Sequence, residues 1–217
     1  MRVTACLTGG GFLLIALLTL LWSFLPPVST LMLSYTLTGR EYTRIAVPLE
    51  EISPNLIVAV IHYEDGKFCN HGGVDWDSLT SVLTEDGSPH RGASTIPMQT
   101  VKNLYLWHGR SYIRKAVEIP ITLFVSLVWS KRRIMETYLN IAEWGDGIIG
   151  AEAAARHYFN KSAKNLNRQE AALLASALPN PFIRDTSRPT KVHQKLAGVI
   201  MARMDNRVVA DCVLKKR

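Results

Sequence analysis

Two adjacent carboxylates, Glu64 and Asp65, are the first residues in this chain whose setting suggests chemistry. They lie in His62-Tyr63-Glu64-Asp65-Gly66-Lys67-Phe68-Cys69-Asn70-His71, which continues through Gly72, Gly73 and Val74 to Asp75. A carboxylate at the end of an apolar helix, facing an irregular turn, is placed for a raised pKa and for proton transfer. The competing reading is structural, because acidic residues also end helices and solvate turns. A second group lies downstream, where Arg114, Lys115 and Glu118 fall within about one helical turn and share one region. With Lys102 and Arg110 close in sequence, and a helix start near Ser94, that region could bind a diphosphate. A capped surface helix with solvated bases is the commoner arrangement of such residues.

The elements that must position these groups read as helices. Ser53 and Pro54 form a helix start, with a hydroxyl cap and a proline in the first turn. Leu56, Ile57, Ala59, Val60 and Ile61 supply the apolar face of that helix, and Ile52 and Ile57 are spaced as a hydrophobic staple. Asp75 reads as the cap of a helix through Trp76, Leu79, Val82 and Leu83, and residues 85–92 as a flexible loop. Ser94 is expected to cap the next helix, with Pro97 in its first turn. A long helix is expected from Ser111 to about Trp129, kinked at Pro120. Amphipathic spacing over 131–140, Ala-rich segments over 151–158 and 168–178, and a segment over about 191–204 predict the remaining helices. Gly145-Asp146-Gly147-Ile148-Ile149-Gly150 has the G-x-G-x-x-G pattern, but no strand precedes it and no βαβ pattern surrounds it, so a dinucleotide site is rejected. No convincing strand is found, and the fold class is all-α.

The 217 residues suit one domain with an attachment. Residues 3–39 contain no Asp, Glu, Lys or Arg, and residues 6–25 are nearly all apolar. About 20 such residues cross the hydrocarbon region as a helix. Residues 1–27 are therefore expected to be a cytoplasmic stub and transmembrane helix, 28–50 a membrane-proximal connection, and 51–217 the functional domain. A cleaved signal peptide is the alternative, but Pro26 and Pro27 stand where a small-residue cleavage site would be needed. Arg2 before the span biases the amino terminus toward the cytoplasm, which places the domain outside the inner membrane. The net charge of +7 is carried by the outer part and suits anionic headgroups or an anionic lipid-linked substrate. Nucleic acid is disfavoured by the export-type anchor. With Cys6 at the membrane, Cys69 and Cys212 remain as a pair that nothing in the spacing demands. No Cys/His set has zinc spacing.

Together these stretches resemble the family 51 peptidoglycan glycosyltransferases, and the monofunctional biosynthetic ones in particular. Glu64-Asp65, Phe68, His71 and Gly73 are similar to the family's first motif, and Gly92, Ser94-Thr95-Ile96 and Gln99 to its second. Arg114-Lys115 with Glu118 resembles the third, and Lys131, Ile134, Glu136 and Tyr138-Leu139-Asn140 the fourth. The resemblance implies a lysozyme-like fold with a small membrane-facing lobe. The implied reaction is polymerisation of lipid II onto a growing glycan strand, with inversion and release of undecaprenyl diphosphate.

Residue by residue, Glu64 and Glu118 are implied as catalytic, Glu64 being the base that takes the acceptor hydroxyl proton. Lys102, Arg110, Arg114, Lys115, Ser94, Thr95 and Gln99 are implied to bind substrate, and Asp65 to support Glu64. A divalent metal, Mg or Mn, with Glu118 as its candidate ligand, is expected; an organic cofactor is not. Membrane lipids, transpeptidases and division or elongation proteins are the expected partners. Since S-x-x-K, S-D-N and K-T-G are missing from the sequence, crosslinking is assigned to another protein. Pro97, Met98 and Ser126 depart from the family pattern, and the late basic motif is at best faint around Lys195. Two rivals remain. A lytic enzyme shares a catalytic Glu but has no need of the basic cluster, and a scaffold has no need of Glu64 and Glu118.

Overall fold

In the computed structural model, residues 2–84, 94–107, 109 and 111–215 are described, the side chains of the first helix from Gly10 onward. The loop expected over 85–92, and Arg110, lie outside the described residues. In order, the elements are α1 (Arg2–Leu21), α2 (Thr30–Thr38), β1 (Thr43–Arg44), α3 (Pro54–Glu64), α4 (Trp76–Thr84), α5 (Ile96–Tyr105), α6 (Tyr112–Val128) and α7 (Lys131–Ile141). After these come β2 (Glu143–Gly145), β3 (Ile148–Ile149), α8 (Ala151–Phe159), α9 (Arg168–Ala177), α10 (Lys191–Arg203) and α11 (Asp211–Leu214). The all-α expectation holds, apart from one small sheet of order β1-β3-β2 with β1 parallel and β2 antiparallel to β3. The rejected G-x-G-x-x-G run is the turn of that sheet. Gly147 has φ +69°, and a Cβ there would meet the Glu41 carbonyl oxygen at 2.9 Å, so only glycine suits it.

Helix α3 is the centre of the core. Ser53 caps it as expected, accepting from the Asn55 N–H, and Pro54 opens it. Leu56 to Ile61 are buried without interruption. A helix that is apolar all round must be enclosed on all sides. It lies against α9 and α10, where Ala171, Ala172 and Ala175 of α9 offer small side chains that let the helices approach. Asn167 and Glu170 start α9 with a capping box. On the other flank, α5 packs between α6 and α7. Helix α6 continues through Pro120 as one assigned helix.

The amino-terminal region differs from expectation. Helix α1 ends at Leu21, and the chain turns through residues 22–25 before Pro26 and Pro27. Among the described residues no helix is long and apolar enough to cross a membrane, so the transmembrane span expected over 1–27 is not shown by the fold. The carboxyl end of α1 is instead docked on the domain. The Trp129 indole donates to the Thr19 carbonyl at 3.0 Å, and Arg133 donates to the carbonyls of Trp22 and Leu25. Within the expected connection, α2 contributes buried Met32 and Tyr35 to the core.

Cys69 and Cys212 form a disulfide across a sequence separation of 143 residues. It ties the turn after Glu64 to α11. Closing so long a loop restricts the unfolded chain, a contribution of about 2–5 kcal/mol. The double variant Cys69→Ala/Cys212→Ala should therefore lose about that much stability in urea denaturation, and dithiothreitol should bring the parent to the same midpoint.

Candidate active site

Glu64 is the last residue of α3, where Asp65 and Gly66 break the helix. Its Oε2 accepts from the Gln99 amide at 2.7 Å, and the Gln99 carbonyl oxygen accepts from the Tyr138 hydroxyl at 3.1 Å. The phenol sets which end of the amide faces which partner, so α5 and α7 jointly aim a donor at the carboxylate. Tyr138 is buried, and burial, then the charges of Glu64 and Asp65, push its pKa well up. It therefore remains a hydrogen-bond donor at ordinary pH.

Asp65 bonds to a different set of partners from Glu64 and holds the scaffold. It accepts from His71 Nε2 at 2.9 and 3.0 Å and from the Ile96 N–H at 2.9 Å, the first residue of α5. A carboxylate at a helix amino terminus meets unpaired N–H groups and the positive end of the helix dipole. The Gly73 N–H donates to His71 Nδ1 at 3.1 Å, which leaves the proton on Nε2, facing Asp65. Gly73 has φ +117°, and a Cβ there would run into the Ser126 hydroxyl on α6, so the turn needs glycine. Lys131 closes the turn from α7. Its ammonium donates to the His71 carbonyl at 2.7 Å and lies 4.5 Å from the centre of the Phe68 ring. Burial lowers its pKa to about 8, against the opposing pull of Asp65.

Thr95, not Ser94, caps α5, accepting from the Met98 N–H and donating to the Gly73 carbonyl at 2.5 Å. The cap falls one residue later because this hydroxyl also ties α5 to the Gly73 turn. Thr95 is thus buried with its hydroxyl engaged at both ends, while Ser94 is half-buried ahead of it. The Thr95 carbonyl accepts from the Gln99 N–H at 2.9 Å, one turn further along α5.

The second carboxylate is in a different setting. Glu118 is 1% exposed; Arg114 holds one oxygen and Lys115 the other, at 3.0 Å. Lys115 also reaches the Met98 sulfur at 3.8 Å, which is what the departure at Met98 does here. Lys102, on α5 one turn beyond Gln99, connects the two carboxylates electrostatically. Its burial lowers its pKa, Glu118 and Glu64 raise it, and Arg114 and Lys115 lower it. The structure thus brings Glu64, Gln99, Lys102, Arg114, Lys115 and Glu118 to one region centred on α5. Cations outnumber carboxylates at the Lys102 end, which suits a doubly charged ligand there.

A metal held by protein groups alone does not fit. Both Glu118 oxygens are engaged by cations, and among the described residues no three His, Cys, Asp or Glu converge. Tyr138 and Lys131 stand in a sequence motif that gives neither of them a task. A phenol and a lysine on an otherwise apolar helix face were the available signal.

A family model described as Transglycosylase matches residues 31–205. Over 182 residues the chain is 55% identical to a biosynthetic peptidoglycan transglycosylase of Agrobacterium fabrum, covering 83% of this chain and 80% of that protein. Proteins of the same description from Rhizobium meliloti and Brucella suis are 52% and 54% identical, over 84% and 83% of this chain and 78% and 81% of theirs.

Removing the Asp65 carboxylate takes the acceptor from the Ile96 N–H and from the His71 Nε2–H. Asp65→Ala should cost about 2–4 kcal/mol in urea denaturation, from charge-assisted hydrogen bonds lost in a buried site. Lys131 gives a pH signature. The folded state releases its proton near pH 8, whereas the unfolded chain holds it to its ordinary value of 10.5. Stability attributable to Lys131 therefore rises between these pH values, as the cost of burying the ammonium is relieved. Lys131→Met should remove that rise from the pH dependence of the urea midpoint.

Proposed function

The chain belongs to the transglycosylase family and is a glycosyltransferase that polymerises glycan strands in peptidoglycan biosynthesis; we propose that its donor is lipid II and its leaving group undecaprenyl diphosphate. The observation that carries this reading is the contrast between the two glutamates. Glu118 is clamped by Arg114 and Lys115 and is not arranged as the proton donor that hydrolysis of a glycan requires. A diphosphate needs no such donor, because cations stabilise it as it departs.

Glu64, at the end of α3 with Gln99 on one oxygen, takes the proton from the acceptor's 4-hydroxyl. The hydroxyl oxygen attacks the donor's anomeric carbon, and the bond to the diphosphate oxygen breaks with its electron pair leaving on the diphosphate. One displacement inverts the centre and gives a β-1,4 link. Lys102, Arg114 and Lys115 receive the developing charge, with Arg110 added on the family resemblance. Glu118 holds Arg114 and Lys115 in position for this. A divalent ion, Mg or Mn, enters the proposal only as one carried by the diphosphate oxygens, since such ions bind through substrate phosphates and one or two carboxylates.

The membrane part of the reading is supported by α1. Phe12, Leu13, Leu14, Leu17, Leu20 and Leu21 are at least half exposed, and Phe24 and Leu127 more so. So much exposed apolar surface marks contact with lipid or protein rather than water. We assign α1 as a single-pass anchor in the cytoplasmic membrane, with the domain on the outer side. The Cys69–Cys212 disulfide supports that side, since disulfides persist in oxidising compartments. Transpeptidases and division or elongation proteins are the proposed partners, acting on the strand this enzyme makes.

Purified full-length protein in detergent, given labelled lipid II with and without a divalent metal, should form polymer. Glu64→Gln should reduce the rate about 10²- to 10⁴-fold, the range for loss of a positioned base. Release of muropeptides from intact sacculi without polymer from lipid II would overturn the transferase in favour of the lytic rival.

A further inference from the structure

Cys69 stands in the turn that follows Glu64, between Asp65 and His71, within the 3₁₀ turn Phe68–Asn70. Its disulfide partner Cys212 is in α11, part of a carboxyl-terminal segment, 206–214, that crosses the end of α3. The Asn206 carbonyl oxygen lies 3.0 Å from Nε2 of His62, the residue two places before Glu64. The turn Arg207–Ala210 packs on α3, and α11 packs on α7. At the start of α7 the Arg132 guanidinium donates to the Val213 carbonyl, next to Lys131, which closes the turn after Glu64 from its other side. The disulfide therefore joins the two segments that meet at the helix end bearing Glu64.

Apart from that bond the segment is lightly held. Over 206–214 the buried residues are Ala210 and Val213, both small, while Asn206, Arg207 and Val208 are exposed. The bond from Arg207 to Asn55 on α3 is exposed and 3.4 Å long. Hydrogen bonds open to water and two small apolar side chains give a segment of low local stability. Neither cysteine is sealed in the core. Both are half-buried, and Asn70 beside Cys69 is exposed, which leaves the bond within reach of a small thiolate.

We propose that the Cys69–Cys212 disulfide is a thiol–disulfide exchange site through which a dithiol, in the compartment the domain faces, lowers the rate of glycan polymerisation. A thiolate of the dithiol attacks one sulfur, the S–S bond breaks, and the other cysteine leaves as a thiolate. The second thiol of the reagent then displaces the first cysteine. Two electrons and two protons pass from the dithiol, which becomes a disulfide, to Cys69 and Cys212, which become thiols. Segment 206–214 then comes away from the end of α3. His62 loses the Asn206 carbonyl, and the turn after Glu64 loses the tie at its middle. Glu64 is held less closely, and small misplacements of a reacting group cost large factors in rate. Reoxidation returns the segment and the rate. The inference rests on the reading of Glu64 as the base and adds a control to it.

The test uses the full chain in detergent with dithiothreitol as the dithiol, in a Cys6→Ser background so that Cys69 and Cys212 are the cysteines counted. After reduction, maleimide should label both, while far-UV circular dichroism keeps its helical signal. With lipid II, kcat should fall about fivefold or more, a part of what a positioned base supplies, with KM little changed. Diamide should restore it. Cys69→Ala/Cys212→Ala should show the lowered rate and respond to neither reagent. Trypsin cleavage after Arg207, read on reducing gels, should quicken several-fold in the reduced protein and in the double variant. A disulfide that resists dithiothreitol in the folded protein, or an unchanged kcat with both cysteines labelled, overturns the proposal. Loss of the helical signal on reduction also overturns it, since the bond is then a structural staple alone. A protein that makes no polymer in either redox state, yet shows the faster Arg207 cleavage on reduction, overturns the lipid II reading and upholds release of the segment.

Discussion

The arrangement depends on the Asp65 carboxylate. It joins the end of α3 to the beginning of α5 through the Ile96 N–H, and through His71 it fixes the turn that follows. Helix α3 carries Glu64, the proposed base, and α5 carries Gln99 and Lys102. The separation between Glu64 and Lys102 is therefore set where those two helices meet. A carboxylate is the group for that junction, since it accepts several bonds at once and faces the positive end of α5. Because its bonds are buried, water does not compete for them.

Around that junction the two glutamates are treated in opposite ways. Glu64 receives one neutral amide, oriented by the buried Tyr138 phenol. Glu118 receives two cations from its own helix. A base must be able to gain a proton during the reaction, and a neutral donor leaves it that capacity. A carboxylate clamped by cations serves to hold them, and here it keeps Arg114 and Lys115 pointed toward the region of Lys102. The rule is general: identical side chains acquire different tasks from the charge of their nearest partners.

The peripheral parts follow the same economy of fixed points. The disulfide, Lys131 and Thr95 each tie the turn after Glu64 to a different element: α11, α7 and α5. A turn of glycines and polar residues has little apolar surface with which to hold itself. Helix α1 is similarly pinned at its carboxyl end through Trp129 and Arg133, so it is joined to the catalytic domain without a free linker.

Much was legible in the sequence. Periodicity and caps located α3, α6, α7, α9 and α10, because helix start signals and apolar spacing are local properties of neighbouring residues. The charged residues of the site were legible too, since Glu64, Lys102 and the Arg114-to-Glu118 run stand out by type and spacing. Contacts between segments distant in the chain were not. Which hydroxyl caps α5 was decided by the Gly73 carbonyl, and the pairing of Cys69 with Cys212 by the way α11 lies on the first turn. Three strands of two or three residues escaped notice, since each is stable only against its partners. The sequence by itself determined which groups could react. The two cations beside Glu118 lie one turn away on its own helix, but only the tertiary structure decided that Glu64 faces a neutral amide, because Gln99 and Tyr138 arrive from other helices.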